Sequence, residues 1–164
     1  EDFYLVVSAL VPYKKIELAL ETFRHGERKL VVIGDGPERK KLEKIASGNV
    51  QFLGWKPDED LRDYYRRAKA LIFPGEEDFG IVPLEMQACG GPVIAYGVGG
   101  ALETVADGQT GIFFDEQNKE SLLEALERFE KRQWDPRQAR DNALKFSRAR
   151  FKSEMKDFIE AHSP

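Results

Sequence analysis

The sequence is poor in cysteine and histidine, which excludes a fold held by internal disulfides and argues against a zinc protein. Cys89 is the only cysteine among 164 residues, so no disulfide can form within the chain, which indicates a reducing compartment. The two histidines, His25 and His162, lie far apart and do not show the ligand spacing of a zinc site. The composition therefore predicts a cytoplasmic protein without a metal site.

Long apolar runs and a signal-peptide pattern are also absent, so no transmembrane segment is predicted. Hydrophobic residues make up 41% of the chain and charged residues 33%, which is typical of a globular protein. The net charge of −4 argues against general nucleic-acid binding. Because the sequence starts at Glu1 and enters an apolar run almost at once, we expect it to be a piece of a longer protein.

Two glycine-rich segments lack the third glycine of a dinucleotide-binding fingerprint. Arg39 takes that position after Gly34-Asp35-Gly36-Pro37, and Leu102 takes it after Gly97-Val98-Gly99. No Walker sequence is present either, so a nicotinamide or flavin site is disfavoured and no cofactor is expected. The first of these segments remains either a tight strand-to-helix turn or a wall of a ligand site.

Short apolar runs alternate with amphipathic helical patterns along the chain. The runs show little polar alternation, which is typical of strands buried on both faces. The predicted strands span residues 3–7, 30–33, 50–53, 70–73, 93–95 and 111–114. The predicted helices span residues 15–25, 38–46, 59–67, 80–88, 100–106, 119–130, 136–146 and 152–161. This order predicts an α/β fold with a Rossmann-like, doubly wound parallel six-stranded sheet, in a single domain over residues 1–164.

Two carboxylates, Glu77 and Glu85, lie eight positions apart around Phe79-Gly80, directly after a predicted strand. A helix opening near Gly80 would place Glu77 at its mouth and Glu85 about a turn and a half inside it. In such sheets, ligands bind outside the carboxyl ends of the strands, where this loop lies. A helix N-terminus that binds anions, flanked by carboxylates that bind hydroxyls, suits a sugar joined to a diphosphate.

Each charged residue of this region also has an ordinary structural explanation. Glu77 belongs to the acidic run Glu76-Glu77-Asp78, which by itself indicates a solvated loop. Glu85 lies on a largely apolar helix, where it either faces solvent or needs donors such as the hydroxyls of a ribose. Lys14 and Lys15 oppose the macrodipole of the first helix, so they are either solvated or, for Lys14, compensated by a bound diphosphate.

The segment from Glu77 to Glu85 resembles the E-x7-E motif of the family 4 retaining glycosyltransferases, also called glycosyl transferases group 1. The resemblance extends over essentially the whole chain, and it implies the C-terminal, donor-binding half of a two-domain GT-B enzyme. The form Glu-Glu-Asp-Phe-Gly-Ile-Val-Pro is most similar to that of polysaccharide mannosyltransferases. The other matching segments lie at residues 8–15, 32–37, 52–55, 90–95, 99–105 and 107–111.

The resemblance implies a role for each matching residue. Glu77, the catalytic candidate, would contact hydroxyls of the donor sugar, while Lys14 would bind the diphosphate and Glu85 the ribose. Backbone N–H groups would hold the sugar and the distal phosphate at Phe79, Gly80, Ile81 and Val82. The remaining donor-binding candidates are Gly36, in the turn after the second strand, and Trp55, in the region of the nucleobase.

The sequence departs from the family at Ser8 and Ala9, where Gly-Arg is usual and the arginine pairs with the diphosphate. A charge-assisted hydrogen bond contributes roughly 1.5–3 kcal/mol, so we expect donor affinity about ten- to a hundredfold below that of a standard member. Lys15 stands where the family commonly has glycine, and its charge could compensate for the lost arginine.

The function implied by the resemblance is transfer of a hexose, with mannose suggested, from a nucleoside diphosphate sugar to a glycan or lipid-linked acceptor. No metal is expected. The expected partners are the nucleotide sugar and an N-terminal acceptor domain outside this chain, through which peripheral membrane association would occur. The isolated domain is therefore expected to be inactive. The alternative is a non-catalytic nucleotide-sugar-binding module that has lost turnover.

Overall fold

A computed structural model describes residues 1–162 and contains one six-stranded sheet. All neighbouring strands are parallel, and their order is β3-β2-β1-β4-β5-β6. The strands are β1 (Tyr4–Val7), β2 (Leu30–Ile33), β3 (Val50–Gly54), β4 (Leu71–Phe73), β5 (Val93–Tyr96) and β6 (Gly111–Phe114). This topology confirms the predicted Rossmann-like, doubly wound sheet.

Eight α-helices accompany the sheet within the described residues, and a short 3-10 turn (Pro12–Lys14) precedes the first. The helices are α1 (Ile16–Phe23), α2 (Arg39–Ile45), α3 (Asp58–Arg67), α4 (Ile81–Ala88), α5 (Ala101–Thr104), α6 (Lys119–Glu130), α7 (Pro136–Leu144) and α8 (Arg148–His162). Every predicted strand and helix is present, and the differences concern where the elements begin and end.

The largest boundary differences have local causes. The helix predicted over residues 100–106 ends at Thr104, because Val105 is extended (φ −113°, ψ 128°) and buried. The last helix begins at Arg148 instead of residue 152, because the Ser147 hydroxyl accepts a hydrogen bond from the Arg150 N–H (3.4 Å). The first helix ends at Phe23, two residues earlier than predicted.

The core has two layers, one on each face of the sheet. Along β1, Tyr4 and Val6 face one layer while Leu5 faces the other, and all three are buried. Because successive strand residues point to opposite faces, burial of both faces explains the missing polar alternation in the sequence. The apolar stripe of α1 is buried in the first layer: Ile16, Ala19, Leu20 and Phe23.

The sheet order places a crevice at the carboxyl ends of β1 and β4. These strands are neighbours in space, although the chain completes β2 and β3 between them. The crevice is narrow, because a Cβ added at Gly75 would lie 2.9 Å from the Cα of Lys14. The loops after β1 and β4 are therefore packed directly against each other, at the point where such sheets bind ligands.

The last helix, α8, contains no buried residue within the described part of the chain. Its large apolar side chains are solvent-exposed, including Phe151 and Phe158 at 61% and 60%. None of the helices within residues 1–162 has both the length and the apolar character needed to cross a membrane.

Candidate functional site

The structure brings Lys14 and Glu77 into a direct ion pair at the crevice between β1 and β4. Lys14 ends the 3-10 turn after β1, and Glu77 lies in the loop after β4. Their side chains are only 14% and 24% exposed. The opposite charges compensate each other, which offsets the free-energy cost of burying them in part. The two residues predicted to bind the diphosphate and the sugar are thus neighbours, and Glu77 does not lie in a freely solvated loop.

The N-terminus of α4 opens beside this ion pair. Gly80 is its N-cap, with φ 88° and ψ 61°, a left-handed conformation that favours glycine. No side chain caps the helix, and an α-helix leaves its first N–H groups without acceptors of its own. The predicted backbone donors of residues 79–82 lie at this helix start, where the macrodipole favours a negative charge.

Gly99 and Gly100, in the loop after β5, support the backbone of the acidic loop that contains Glu77. The Gly100 N–H donates a 2.7 Å hydrogen bond to the Glu77 carbonyl. A Cβ added at Gly99 would lie 2.6 Å from that carbonyl oxygen, and one at Gly100 would lie 2.4 Å from the Cα of Phe79. Gly99, from the failed dinucleotide fingerprint, and the following Gly100 therefore allow close packing against the Glu77 loop, a role that the sequence analysis missed.

Glu85 lies on α4 and is exposed, and the Tyr65 hydroxyl on α3 donates a 2.8 Å hydrogen bond to its Oε2. Tyr65 is 3% exposed. Its burial, together with the negative charge of Glu85, raises the pKa of Tyr65 far above the ordinary value, so its hydroxyl stays a donor. Tyr65 is a second residue that the sequence analysis missed, because nothing in the pattern of α3 indicates which of its side chains faces α4.

A groove of about 270 Å³ runs between α3 and α4 beside Glu85. Its walls include Asp58, Leu61 and Arg62 from α3 and Ala88 from α4. Cys89 also lines it, and burial raises the pKa of its thiol, as expected for a packing residue. Two larger grooves, of about 610 and 810 Å³, border the residues where strands begin and lie away from the crevice.

Gly36 and Trp55 occupy two further loops after strands, and their donor-binding roles stay predictions. A Cβ added at Gly36 would lie 2.5 Å from the Leu10 carbonyl oxygen, so the tight-turn explanation of the Gly34–Pro37 segment accounts for this glycine by packing alone. Trp55 directly follows β3 and is 74% exposed. No hydrogen bond or ion pair within residues 1–162 joins either residue to Lys14 or Glu77.

Ala9 and Lys15, two of the residues that differ from the family pattern, are both exposed. Lys15 has φ 54° and ψ 35°, and it is the one residue other than glycine with a positive φ among those described. This conformation explains why glycine suits the position.

Within the described part of the chain, no group of three or more His, Cys, Asp or Glu residues could hold a metal ion.

Residues 1–146 match the family model described as "Glycosyl transferases group 1". An uncharacterized glycosyltransferase of Methanocaldococcus jannaschii is 32% identical over 155 residues, covering 89% of this chain and 44% of that protein. A GDP-mannose-dependent phosphatidylinositol monomannoside mannosyltransferase of Mycolicibacterium smegmatis is 32% identical over 138 residues, covering 73% of this chain and 36% of that protein. The chain thus spans less than half the length of these relatives.

Solved structures of GT-B glycosyltransferases share the fold. The lipopolysaccharide outer core galactosyltransferase WaaB superposes with a TM-score of 0.85 at 18% identity, covering 97% of this chain and 49% of that one. HepE of Anabaena in complex with UDP superposes with a TM-score of 0.80 at 22% identity, covering 98% and 49%. Taken with the match to the family model, these likenesses show that the chain belongs to the glycosyl transferases group 1 and has the fold of one half of a GT-B enzyme.

Proposed function

We propose that this chain binds the sugar nucleotide donor of a retaining glycosyltransferase that transfers a hexose to a glycan or lipid-linked acceptor. The observation that carries the proposal is the Lys14–Glu77 ion pair beside the uncapped N-terminus of α4. A cation and a helix N-terminus together suit a diphosphate, and a carboxylate next to them suits the hydroxyls of the attached sugar.

Donor binding would exchange the partners of this ion pair. Lys14 would turn from Glu77 to the diphosphate, and Glu77 would then accept hydrogen bonds from hydroxyls of the sugar. Glu85 would hold the ribose in the groove beside α3, because Tyr65 already fixes one of its carboxylate oxygens. The backbone N–H groups at the start of α4 would complete the contacts to the distal phosphate.

The chemical step is departure of a nucleoside diphosphate, which develops negative charge on the leaving oxygen. The α4 N-terminus is a preorganised positive group, and Lys14 would join it once it turns to the diphosphate; such groups stabilise developing charge most effectively when water is excluded. Because these groups supply the positive charge, the proposal needs no dedicated metal. Retention of the anomeric configuration is part of the proposal through the family resemblance.

The donor is proposed to be a hexose linked to a nucleoside diphosphate, with GDP-mannose as the first compound to test. The M. smegmatis relative is named for GDP-mannose, whereas the Anabaena structure contains UDP, so both bases belong in a test.

A second candidate function is a binding module without turnover, favoured by Ala9 in place of the usual arginine.

Calorimetric titration with UDP, GDP, ADP and their hexose derivatives tests the proposal. We expect measurable binding of at least one nucleotide, weakened about tenfold or more by Glu85→Ala. The matched control is Glu59→Ala, which removes an exposed carboxylate from α3 and should leave the affinity unchanged. Failure of the whole panel to bind would contradict the proposed function.

A further inference from the structure

A buried polar cluster lies behind the Glu77 loop, where α4, α5 and α7 meet. It consists of Gln87 and Thr104, both 0% exposed, and Asn142, 9% exposed. The Gln87 Nε2 donates to the carbonyl oxygens of Thr104 (2.8 Å) and Pro83 (3.1 Å). The Asn142 Nδ2 donates to the same Thr104 carbonyl (2.9 Å) and to the Gln87 Oε1 (2.7 Å). A satisfied buried network of this kind fixes the relative positions of the helices that supply it.

Thr104 connects this cluster to the catalytic candidate. Its Oγ1 donates a 2.9 Å hydrogen bond to the Gly100 carbonyl, and the Gly100 N–H donates to the Glu77 carbonyl (2.7 Å). The same hydroxyl oxygen would lie 3.2 Å from a Cβ on Gly80, the N-cap of α4. One buried side chain is therefore bonded to Gly100, the residue that holds the Glu77 carbonyl, and lies against the helix end that would hold the phosphate.

The packing leaves little freedom for the Glu77 backbone to move separately from Gly100. The two glycines before α5 approach the acidic loop so closely that even a methyl group has no room at either position. A displacement of α5 must therefore be transmitted to the Glu77 carbonyl, and with it to the side chain paired with Lys14.

We propose that Gln87, Thr104 and Asn142 form a positioning cluster that holds the Glu77 loop and the α4 N-terminus in the geometry required by the donor. The cluster acts through Gly100 and does not itself touch the donor. The inference deepens the proposed function and rests on it. A merely structural cluster would change the free energy of unfolding without a selective effect on the Glu77 loop.

The chain offers a closely matched control for Thr104→Val. Thr22 is also buried, and its Oγ1 donates to the carbonyl four residues earlier, that of Leu18, at 2.8 Å. Thr22→Val and Thr104→Val therefore delete the same kind of hydrogen bond, one in α1 and one next to the site. In Thr104→Val the Gly100 carbonyl still accepts the N–H groups of residues 103 and 104 at 3.1 Å, so the variant should fold.

The rate of amide hydrogen exchange, monitored by NMR, can be measured without a ligand. We expect Thr104→Val to accelerate exchange of the Gly100 amide about fivefold or more, relative to amides of the central strands, while Thr104→Ser and Thr22→Val leave it unchanged. Nucleoside diphosphate binding should fall about three- to tenfold in Thr104→Val and recover in Thr104→Ser. Unchanged exchange at Gly100, or an equal loss of binding in Thr22→Val, would overturn the positioning role.

A second variant keeps the inference testable if Thr104→Val does not fold. Gln87→Met retains an unbranched side chain of similar size but removes the amide that donates to Thr104, and the same increase in Gly100 exchange is expected. Absence of nucleotide binding by the unaltered chain would contradict the proposed function. The exchange measurement would even then decide whether the cluster holds the Glu77 loop.

Discussion

Under the proposed function, single residues would set how strongly the crevice between β1 and β4 holds a diphosphate. Lys14 provides the cation, but its charge is already paired with Glu77 in the free chain. Ala9, where a family member usually has arginine, leaves the loop after β1 without a second fixed cation. The exposed Lys15 is the nearest replacement in sequence, and its left-handed backbone restricts where its side chain can reach.

Restoring the arginine should tighten binding. Ala9→Arg is expected to lower the Kd for a nucleoside diphosphate about ten- to a hundredfold, because a charge-assisted hydrogen bond contributes about 1.5–3 kcal/mol. Isothermal titration calorimetry measures the change, and Ala9→Gln controls for side-chain length without the charge. An Ala9→Arg variant with the affinity of the unaltered chain would show that Ala9 is not the missing contact.

Tyr65→Phe should weaken ribose recognition without unfolding the chain. Its ring stays buried, and only the hydroxyl that holds the Glu85 Oε2 is lost, so we expect nucleotide affinity to fall about three- to tenfold. Tyr64→Phe is the neighbouring control, since Tyr64 makes ring contacts with Phe3 and Arg67 instead. Equal affinities for Tyr65→Phe and the unaltered chain would exclude a positioning role for this hydroxyl.

At the scale of elements, polar contacts join parts of the fold that are far apart in sequence. The Glu130 carboxylate at the end of α6 accepts two hydrogen bonds from Arg28 (2.8 and 2.7 Å) and one from the Tyr4 hydroxyl of β1 (2.8 Å). The Arg28 guanidinium, assisted by Tyr4, lowers the pKa of Glu130 to about 2. This cluster lies away from the crevice between β1 and β4 and joins the end of α6 to β1.

The Glu130 carboxylate makes stability depend on pH in a defined direction. Its folded pKa of about 2 lies below the ordinary glutamate value of 4.5, so its stabilising effect is complete above about pH 5 and is lost as the pH falls towards about 2. Glu130→Gln should therefore cost about 1 kcal/mol at pH 7 and less at pH 3. Urea unfolding at both pH values, with the exposed Glu127→Gln as control, measures this; a cost independent of pH would contradict the assignment.

At the scale of the whole molecule, the chain has the fold of one half of a GT-B enzyme. The chain covers 49% of each of the two GT-B structures described above. The exposed apolar residues of α8 add a surface that no other element within residues 1–162 buries. Under the proposed function, this chain would bind the donor, whereas transfer would need an acceptor site as well.

We expect the 164-residue chain to bind a sugar nucleotide but to transfer no sugar. Incubation with a radiolabelled nucleoside diphosphate hexose and a panel of glycan and lipid acceptors tests this. A longer protein that joins this chain to an N-terminal half of the same family is the positive control. Glycosyl transfer by the chain alone would refute the expectation. Transfer by neither protein would favour the binding module without turnover.

The sequence by itself determined that a parallel sheet forms, the order of strands and helices along the chain, and the loop in which the candidate site lies. Apolar runs without polar alternation indicated strands buried on both faces. The structure confirms this for β1, β2, β4, β5 and β6, whereas the edge strand β3 is only partly buried. The positions of Glu77, Gly80 and Glu85 relative to the strand and helix were predictable for the same reason, since local periodicity fixes spacing along one chain.

Only the tertiary structure decided which side chains meet. The pairing of Lys14 with Glu77, the hydrogen bond from Tyr65 to Glu85 and the hydrogen bonds from Thr104 through Gly100 to Glu77 each join separate elements. Their geometry depends on the strand order and on the close approach of glycine loops, which periodicity along a single chain does not encode.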